Sequence, residues 1–565
     1  MALKILLMLV LFSLSSFTST AQKLLYEDSP FGLHPASIGP LQNQSFREAQ
    51  DIGIRWHRPP VYSFWMIIQP DLQNKIYDWT INDAQYKVVP EGINILGNID
   101  VEPRLNPGNY SLPNSYLPVD TIAYAEFVRA TVERYDGDGN EDMPGLKVPI
   151  RYWQIGNEIN LKLKDFPKLQ RITYQAIKDA CSDCSVLIGG VGGMPDNYPG
   201  NFISTYMPIL QALKGQYIDI FDFHWYGTAT GDYRKMGKNL AIIHNGLQAN
   251  GYGSIPVWIT EMGTYSGDPA DDPFHKWTFQ TEAQQAGDLL KRYIYPLALG
   301  IKKIFPAFGL MEGFKHDDGY FDHTGLIYEG DGANDLGRGV KKLAYYTYKL
   351  MTEKLEGCDW KAVETVVEDT VSNYYIYKFN KNGNSIFVVW WDYFLDSTYT
   401  AGKTREVEIT GLKSKNIIIT EAVPKYRAGA EVTDYSTAFR KDTLTATDGT
   451  AMLTLGENPV FVESFESTEI YESYEKASRE IILYNNYPNP VTTTTTFRFL
   501  LPNTAKISLK ISDILGRTIT TIVDAELNPG IHSVVLDTKD LLYGVYFYRL
   551  TAGGFSEIKK MIIKR

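Results

Sequence analysis

The chain has 565 residues, of which 44% are hydrophobic, 21% charged and 13% aromatic. This is the composition of a folded protein, and it excludes a wholly disordered chain, a collagen and a membrane bundle. The net charge of −11 argues against general nucleic-acid binding, because contacts to phosphate need a cationic surface. The length predicts several domains, since an average domain has about 150 residues and an α/β barrel about 250.

Residues 1–21 predict a secretory signal peptide. Lys4 supplies the positive charge, residues 6–14 form the apolar stretch, and Ser19 and Ala21 are the small residues of a cleavage site. The apolar stretch is too short to span a bilayer, and no other run reaches about 18 apolar residues. We therefore expect a mature protein without a transmembrane segment. An N-terminal anchor is the alternative.

Strand and helix patterns alternate from about residue 26 to residue 350. The predicted strands are 31–34, 54–58, 93–99, 150–155, 186–190, 218–223, 256–260 and 303–308. The predicted helices between and after them are 121–135, 167–179, 202–213, 236–250, 281–299 and 339–351. Eight such units favour a closed α/β barrel, the (β/α)₈ or TIM barrel, which we assign to residues 22–354. No Gly-rich nucleotide motif follows the first strand, which weakens the alternative of an open doubly wound sheet.

An acidic turn precedes the fourth strand. Asp136, Asp138, Asn140 and Asp142 place side-chain oxygens at alternate positions, as in a calcium-binding loop. Lys147 stands where an EF-hand has its bidentate glutamate. A structural calcium site and a solvated turn both remain open, and no other metal or cofactor is expected.

Three cysteines are too few for a disulfide scaffold. Cys181 and Cys184 have the spacing of a redox motif, but in a secreted chain this spacing favours a small structural disulfide. A thiol-exchange site or half of a zinc site is the alternative, although no second Cys/His pair stands nearby to complete a tetrahedron. We expect the remaining Cys358 to be buried and unreactive.

The pattern changes after the barrel. Short strands separated by turn residues predict a β-sandwich over 355–465, and a charged linker follows at 466–481. Residues 482–565 are again all β in pattern. They carry ten Lys or Arg and six Asp or Glu, a net charge of +4, which leaves −15 for the rest of the chain.

Two glutamates stand at strand ends, where a barrel carries its catalytic groups. Glu158 follows the fourth strand, directly after Asn157, and Glu261 follows the seventh. A lone glutamate in such a place is usually a solvated loop residue. Two that face each other across the barrel mouth meet the requirement of glycoside hydrolysis, in which one carboxyl protonates the leaving oxygen and the other attacks or assists from the opposite face.

Three short motifs carry a family resemblance: Gly156-Asn157-Glu158, His224-Trp225-Tyr226, and Trp258-Ile259-Thr260-Glu261. On these motifs the sequence resembles the clan A retaining glycoside hydrolases, which are barrels with catalytic glutamates on strands four and seven. The resemblance covers about residues 30–350 and reaches about 465 with the sandwich.

The resemblance implies that Glu158 is the acid/base and Glu261 the nucleophile of a double displacement. Asn157 matches the residue that hydrogen-bonds the sugar 2-hydroxyl. The other positions expected at the substrate are Arg58, His224, Trp225, Tyr226 and Phe308. We expect Glu158 to be buried and protonated, and the two carboxyl groups to lie about 5–5.5 Å apart.

Three of these positions have a more specific expectation. Arg58 matches the arginine that keeps the nucleophile ionised, and the hydroxyl of Tyr226 orients it. Phe308 stands where many relatives carry a tryptophan platform at the end of strand eight. The loop that follows, 309–325, is also expected to shape the cleft. Its polar residues include His316, Asp317, Asp318 and His323.

The last segment carries four spaced motifs: Tyr487-Pro488-Asn489-Pro490, ISDILGR at 511–517, GVYFYRL at 544–550 and KKMIIKR at 559–565. On these motifs residues 482–565 resemble the type A C-terminal sorting domain of type IX secretion cargo. The resemblance implies that the type IX secretion machinery is a partner and that the protein is secreted or held at the outer cell surface. A carbohydrate-binding module is the alternative.

The function expected from these patterns is a secreted retaining glycoside hydrolase. It would cleave β-linked O-glycosidic bonds of polysaccharides or oligosaccharides, with the sugar and the choice of endo or exo action left open. A non-catalytic glycan-binding protein on the same barrel is the alternative if the cleft is blocked. A metallohydrolase barrel would need clustered ligands on strand one, where His34 stands alone.

Overall fold

The computed structural model describes residues 24–564 except 75, 102–108, 161, 194–195, 333, 466–480, 485, 487–488 and 529. The predicted signal peptide, nearly all of the predicted linker and part of the first sorting motif lie outside the described residues. The chain divides into two compact units: one holds the barrel and the sheets up to Ser464, and the other holds the strands from Ile482 onward. The domain limits proposed from the sequence stay predictions.

The first unit begins with a parallel barrel. The strands of its ring are β1 (Gly32–Leu33), β2 (Trp56–His57), β3 (Asn94–Asp100), β4 (Tyr152–Ile155), β5 (Ser185–Ile188), β6 (Phe221–Trp225), β7 (Val257–Met262) and β8 (Ile304–Pro306), and a short strand outside the ring order, Ser63–Phe64, pairs with the end of β3. They pair in chain order. A bridge from Leu187 to Ile220 joins β5 to the start of β6, and a bridge from Phe31 to Ile304 joins β1 to β8. The ring is therefore closed, and the predicted (β/α)₈ fold is confirmed.

Helices follow the strands around the outside of the barrel. They are α1 (Arg47–Asp51), α2 (Thr80–Lys87), α3 (Thr121–Tyr135), α4 (Phe166–Ala180), α5 (Met207–Leu213), α6 (Asp232–Ala249), α7 (Glu282–Ala298) and α8 (Leu343–Leu355). Local chemistry marks their starts: the Asp120 carboxylate accepts two backbone N–H groups at the start of α3, and Thr281 with Gln284 forms a capping box on α7. The predicted helix 202–213 begins with a π-helical turn, Phe202–Tyr206.

Side chains of the barrel strands alternate between the interior and the helix layer. Inside, the Trp56 ring of β2 lies 5.3 Å from the Trp258 ring of β7, centroid to centroid. Both belong to a buried interior cluster with Leu96, Leu187, Ile220 and Phe305. This apolar cluster fills part of the barrel interior.

Antiparallel sheets follow α8. Their strands are β9 (Glu364–Asp369), β10 (Tyr374–Lys381), β11 (Asn384–Trp391), β12 (Arg405–Ile409), β13 (Asn416–Glu421), β14 (Lys441–Thr445), β15 (Ala451–Leu455) and β16 (Val460–Phe465). Six of them pair in the order β9-β10-β11-β16-β13-β14, and β12 pairs with β15. On β11, Phe387 and Val389 face the smaller sheet, whereas Val388 and Trp390 belong to the core shared with the barrel. The sandwich is thus fixed to the barrel by an apolar face.

The second unit is entirely β in its described residues. Its strands are β17 (Ile482–Leu483), β18 (Thr494–Leu501), β19 (Ala505–Ser512), β20 (Thr518–Leu527), β21 (Gly530–Asp537), β22 (Gly544–Ala552) and β23 (Phe555–Ile563). They form two sheets, β17-β18-β21 and β20-β19-β22-β23. Phe497, Leu509 and Tyr548 lie in the buried core of this unit. No helix in the described part of the chain combines the length and the hydropathy that a bilayer span requires.

The three cysteines behave as predicted. Cys181 and Cys184 form a disulfide that closes a tight turn between α4 and β5. Cys358 is buried and unpaired. Burial raises the pKa of its thiol to about 12, so that at neutral pH it stays in the unreactive protonated form.

Candidate functional site

A cleft of about 760 Å³ opens at the C-terminal ends of the barrel strands. Glu158, two residues beyond Gly156 at the end of β4, and Glu261, on β7, both line this cleft. One carboxylate oxygen of each lies within 4.8 Å of the other. The structure therefore brings together the two glutamates that the sequence places at separate strand ends.

Glu261 lies at the buried floor of the cleft. Its Oε1 accepts a hydrogen bond of 2.7 Å from Arg58, and its Oε2 accepts one of 2.6 Å from the hydroxyl of Tyr226. Burial by itself would raise the pKa of Glu261, but the charges of His224 and Arg58 outweigh it and hold this pKa at about 2. Glu261 is consequently ionised at neutral pH.

Arg58 is fully buried and connects three side chains. Besides Glu261, its guanidinium donates to Asn157 Oδ1 at 2.7 Å and to Gln154 Oε1 at 2.9 and 3.0 Å. The fork geometry of a guanidinium suits such a junction. Gln154, on β4, carries no sequence motif, and Asp222 accepts its amide N–H in turn. The predicted residues Arg58 and Asn157 thus lie at the site, while Gln154 and Asp222 were missed.

Glu158 lies higher in the cleft and is more exposed than we expected. About half of its side chain, 49%, is accessible to solvent. The expected burial is wrong because Glu158 follows the strand end and stands in a loop at the barrel mouth. A Cβ built on Gly192 would overlap its carboxyl group, so glycine at that position is needed to leave it room.

His224 stands between the acidic groups. Its Nδ1 lies 2.9 Å from Glu158 Oε1 and 3.4 Å from Glu261 Oε2, and its Nε2 lies 3.8 Å from Asp222 Oδ2. Burial opposes a charged imidazole, but the three carboxylates together raise the pKa of His224 above its usual value. Because His224 is fully buried, it does not face the cleft. Its ring nitrogens contact the carboxylates instead.

The neighbours of His224 on β6 have different positions. Tyr226 lines the cleft. Trp225 does not: its side chain is fully buried, and its ring lies against Tyr198 and Phe223, outside the barrel interior. Because side chains alternate along a strand, a residue between His224 and Tyr226 must point to the helix layer. The prediction that Trp225 binds substrate is therefore wrong.

Phe308 lines the cleft at the end of β8, and its ring stacks on that of Phe314, with 3.5 Å between centroids and 5° between planes. Phe314 comes from the loop that follows β8. His34, from the end of β1, completes this side; its Nδ1 lies 2.9 Å from the carbonyl oxygen of Arg58. Burial and Arg58 lower the pKa of His34 to about 3, so it is neutral at neutral pH. The sequence did not place His34 at the site.

The loop after β8 shapes the cleft, but not through the four polar residues singled out from the sequence. Met311, Phe314 and Phe321 line the cleft. The residues singled out from the sequence line a separate, acidic cavity of about 380 Å³: His316, Asp317, Asp318 and His323. Glu312 borders both spaces and forms a buried ion pair with Lys342. The four polar residues are thus removed from the cleft.

The acidic turn before β4 gathers Asp136, Asp138 and Asp142, whose carboxylate oxygens lie within 4.8 Å of one another. The side-chain amide of Asn140 donates to Glu133. Asp142 accepts the backbone N–H groups of Gly137 and Gly139 at 2.9 and 2.8 Å, as a turn without metal also requires. Both interpretations of this turn remain compatible with its geometry.

Asp136 gives a pH test of this turn. Burial, aided by the nearby Asp138, raises the pKa of Asp136 to about 7 from an ordinary value of 3.8. A carboxyl with a raised pKa stabilises the fold below its unfolded pKa and loses that contribution as the pH rises through its folded pKa. In the presence of a chelator, Asp136→Asn should therefore gain stability relative to the wild type between pH 5 and pH 8, on the order of 1–2 kcal/mol.

Urea unfolding at both pH values measures this difference. Asp142→Asn is the matched control, since it removes one of the two carboxylate oxygens that accept backbone N–H groups and should be less stable at both pH values. Calcium that raises the wild-type midpoint at pH 8, but not that of Asp136→Asn, would decide for the calcium site. An Asp136→Asn stability that follows the wild type at both pH values would contradict the raised pKa.

Comparison with known proteins now adds to this geometry. Residues 485–564 match the family of secretion system C-terminal sorting domains. The C-terminal unit is a type IX sorting domain. The segment marks the chain for export, either to the cell surface or into the medium. No curated protein matches the sequence of the chain.

Solved structures are similar to this chain over most of its length. A glucosidase from Croceicoccus marinus is 13% identical, with a TM-score of 0.50 over 78% of this chain and 97% of that one. A GH30 endoxylanase from Clostridium papyrosolvens C71 is 13% identical, with a TM-score of 0.45 over 79% and 98% of the two chains. A GH51 arabinofuranosidase from Xanthomonas axonopodis pv. citri is 10% identical, with a TM-score of 0.45 over 78% and 94%. The predicted resemblance to clan A glycoside hydrolases is confirmed as a likeness of fold.

Proposed function

We propose that the barrel is a retaining glycoside hydrolase that cleaves β-linked O-glycosidic bonds of oligosaccharides or polysaccharides. The observation that carries this proposal is the distance between the two carboxylates, whose nearest described oxygens lie within 4.8 Å. Retaining enzymes hold these groups about 5–5.5 Å apart, whereas inverting enzymes need about 6.5–9.5 Å to admit a water molecule between carboxylate and sugar.

The environments of the two carboxylates assign their roles. Glu261 is buried and held ionised by Arg58 and His224, as a nucleophile requires. Glu158 stands at the half-exposed mouth, where it reaches both a leaving group and solvent water. In the first step, Glu261 attacks the anomeric carbon while Glu158 gives its proton to the departing glycosidic oxygen. The bond between that oxygen and the anomeric carbon breaks, and a glycosyl ester on Glu261 remains.

In the second step, Glu158 acts as a base. Its carboxylate takes a proton from a water molecule, the water oxygen attacks the anomeric carbon, and the ester bond to Glu261 breaks. Two inversions at the same carbon give net retention. Glu158 is again protonated and Glu261 again ionised, so the site is ready for another cycle.

Other side chains position the sugar. The Oδ1 of Asn157 accepts from Arg58, so its Nδ2 is the atom that can donate to a sugar hydroxyl. The stacked pair of Phe308 and Phe314 offers an apolar wall in place of a strand-eight tryptophan. The open cleft supports catalysis over the alternative of a glycan-binding protein with a blocked site.

Product stereochemistry tests the proposal. The mature protein is incubated with a panel of β-glucans, β-mannans, β-xylans and β-galactans, and the first anomer released is followed by proton NMR. We expect hydrolysis of at least one class with initial release of the β anomer. Release of the α anomer, or binding of a glycan without hydrolysis, would overturn the retaining mechanism or the activity, respectively.

Arg58 should control the acidic limb of the pH profile. In the wild type Glu261 stays ionised down to about pH 2. Without the guanidinium its pKa rises, so the acidic limb of kcat/KM in Arg58→Met should move upward by about one to three pH units. The loss of activity should accordingly be larger at pH 5 than at pH 7.

Arg55→Met is the matched control. Arg55 lies on the far side of the same segment, where it stacks on Tyr26 and faces Glu356 at 3.9 Å. Its removal should leave the pH profile unchanged. An acidic limb that stays in place in Arg58→Met would show that Arg58 does not hold the charge of Glu261.

The sorting domain complements this function. An exported hydrolase meets its substrate outside the cell, where structural and storage polysaccharides are found. We therefore infer two kinds of partner: a carbohydrate substrate at the barrel mouth and the type IX secretion machinery at the C-terminal unit.

A further inference from the structure

Asp222 is a buried carboxylate behind the cleft that the proposed mechanism does not use. It lies on β6, two residues before His224, and its side chain is not exposed to solvent. Its Oδ1 accepts the backbone N–H of Thr260 at 3.0 Å, and its Oδ2 accepts the hydroxyl of Thr260 at 2.6 Å. The same Oδ2 accepts the side-chain amide N–H of Gln154. Asp222 therefore joins β6 to both β7 and β4 as an acceptor of hydrogen bonds.

The side-chain amide of Gln154 is held in one orientation by its neighbours. Its oxygen accepts hydrogen bonds from Arg58 Nε and Nη2 at 3.0 and 2.9 Å, and from the amide of Asn98 at 3.0 Å. Because these three contacts are all donors, the NH₂ group of Gln154 has to point the other way, toward Asp222. An ionised carboxylate can only accept, so Asp222 favours the same orientation of the amide.

The orientation of Gln154 affects the proposed nucleophile through Arg58. The guanidinium directs Nε and Nη2 to the oxygen of Gln154, which leaves Nη1 to donate to Glu261 at 2.7 Å. Its Nη2 also reaches Asn157 at 2.7 Å. Asp222, Gln154 and Arg58 thus form one line of hydrogen bonds that crosses the barrel interior and ends on Glu261. A change of polarity at Asp222 would be felt at the other end of this line.

The packing and the charges around Asp222 support this arrangement. A Cβ built on Gly190 would lie 2.7 Å from Asp222 Oδ2 and 2.3 Å from His224 Nε2, so a larger residue there would displace both side chains. Burial raises the pKa of Asp222 to about 6, although the charge of His224, the hydroxyl of Thr260 and the charge of Arg58 lower it. The carboxylate is therefore ionised at pH 7.5.

We propose that Asp222 is a positioning residue for the reaction, which fixes the polarity of the Gln154 amide and thereby the orientation of Arg58 on Glu261. The inference rests on the proposed function. It requires a carboxylate at position 222 and not only a side chain of that shape. In Asp222→Asn, the NH₂ group would face either the N–H of Thr260 or the NH₂ group of Gln154. One pair of donors would face each other in both orientations, and each unmet buried donor is costly.

Exchanging the carboxylate and the amide tests this polarity. Asp222→Asn makes two donors face each other, and Gln154→Glu makes two carboxylates face each other. Each variant should lower kcat/KM about tenfold or more at pH 7.5, measured with the substrate that the wild type cleaves fastest. The double variant Asp222→Asn/Gln154→Glu keeps the net charge and restores one donor and one acceptor, so its kcat/KM should recover to within about threefold of the wild type.

Gln154→Met is a second variant that introduces no pair of like groups. It keeps the length of the side chain but removes the acceptor of Arg58, so it should also lower kcat/KM about tenfold. Because the two residues act on Glu261 through the same line, its loss should not add to that of Asp222→Asn. Losses that multiply in the double variant Asp222→Asn/Gln154→Met would overturn the proposed line of contacts.

Asp392→Asn is the matched control, since Asp392 is also fully buried but accepts from Tyr233 and Lys291 beside the sandwich. It should lower the urea midpoint and leave kcat/KM within about twofold. A folded Asp222→Asn with the kcat/KM of the wild type, or a folded exchange variant no more active than its single variants, would overturn the positioning role and leave the hydrolase in place. A wild type that cleaves no glycan would overturn the proposed function itself, and this role with it.

Discussion

Replacing Glu261 by Gln is expected to lower kcat/KM about 10⁴-fold or more on every substrate, because no carboxylate remains to form the glycosyl ester. The amide keeps the shape of the side chain, and its oxygen can still accept from Arg58 while its NH₂ group replaces the oxygen that accepts from Tyr226, so the fold should be retained. The loss should not depend on the leaving group, since the missing atom attacks the anomeric carbon in all cases. Initial rates with a glycan and with an activated aryl glycoside measure this.

Two further observations would identify the carboxylate of Glu261 as the attacking group. In Glu261→Ala, added azide should restore part of the activity on the aryl glycoside and yield a glycosyl azide of inverted configuration. In the wild type, a substrate analogue with a slow second step should leave a covalent sugar on the peptide that contains Glu261. A sugar trapped on any other residue would overturn the assignment.

Glu329→Gln is a suitable control for the loss of one carboxylate. Glu329 lines the acidic cavity and not the cleft, and it faces His316 at 3.1 Å. Its replacement changes the charge of the barrel mouth by the same amount as Glu261→Gln. Activity close to that of the wild type would show that charge alone does not account for the Glu261 effect.

Replacing Glu158 by Gln should have an effect that depends on the leaving group. General acid catalysis contributes about 10²- to 10⁴-fold, and this should be lost on natural glycans, whose leaving alkoxides need a proton. An aryl glycoside with an acidic phenol leaves without that proton, so its first step should slow less than about tenfold. The half-exposed position of Glu158 predicts that small anions reach the site freely.

A series of aryl glycosides with phenols of increasing basicity measures the acid role. The wild type should show a shallow dependence of kcat/KM on the basicity of the phenol, and Glu158→Gln a steep one. Added azide should accelerate turnover of the variant with retained configuration, because it attacks the glycosyl ester without a base. Equal losses across the series would argue against Glu158 as the acid.

The sequence was sufficient for the fold and for the pairing of the two glutamates. Mostly apolar runs of four to seven residues, alternating with segments of helical periodicity, predict the barrel because a parallel strand buried on both faces must be largely apolar. In a closed parallel barrel all C-terminal strand ends meet at one face. Glu158 and Glu261 had therefore to lie at the same mouth once β4 and β7 were recognised. Their catalytic roles stay predictions until they are tested.

The sequence was not sufficient for the groups behind the carboxylates. His224 is opposite Glu261 because β6 and β7 pair in that register, with an irregularity between Phe223 and His224. Gln154 and Asp222 meet inside the barrel across strands 68 residues apart in the chain. Neither contact can be recognised from the periodicity of the sequence, because each depends on the register between the strands.

The exposure of two side chains was predicted wrongly. Glu158 was expected to be buried, and Trp225 to face the substrate; the structure shows the reverse for both. Glu158 is more exposed than expected because it stands in the loop after β4, beyond the end of the strand. The burial of Trp225 in the helix layer could have been foreseen. Side chains alternate along a strand, so Trp225 points away from the face that carries His224 and Tyr226.

The amino-acid sequence by itself thus determined the order of the elements, the disulfide between Cys181 and Cys184, the sorting domain and the strand ends that carry carboxyl groups. These follow from local periodicity, short spacings and motifs, which need no knowledge of distant contacts. Only the tertiary structure decided that His224 lies 3.4 Å from Glu261 and that Gln154 and Asp222 meet behind it, whereas the family resemblance already implied the contact of Arg58 with Glu261. Barrel closure and strand register set those contacts, and both depend on packing summed over the whole chain.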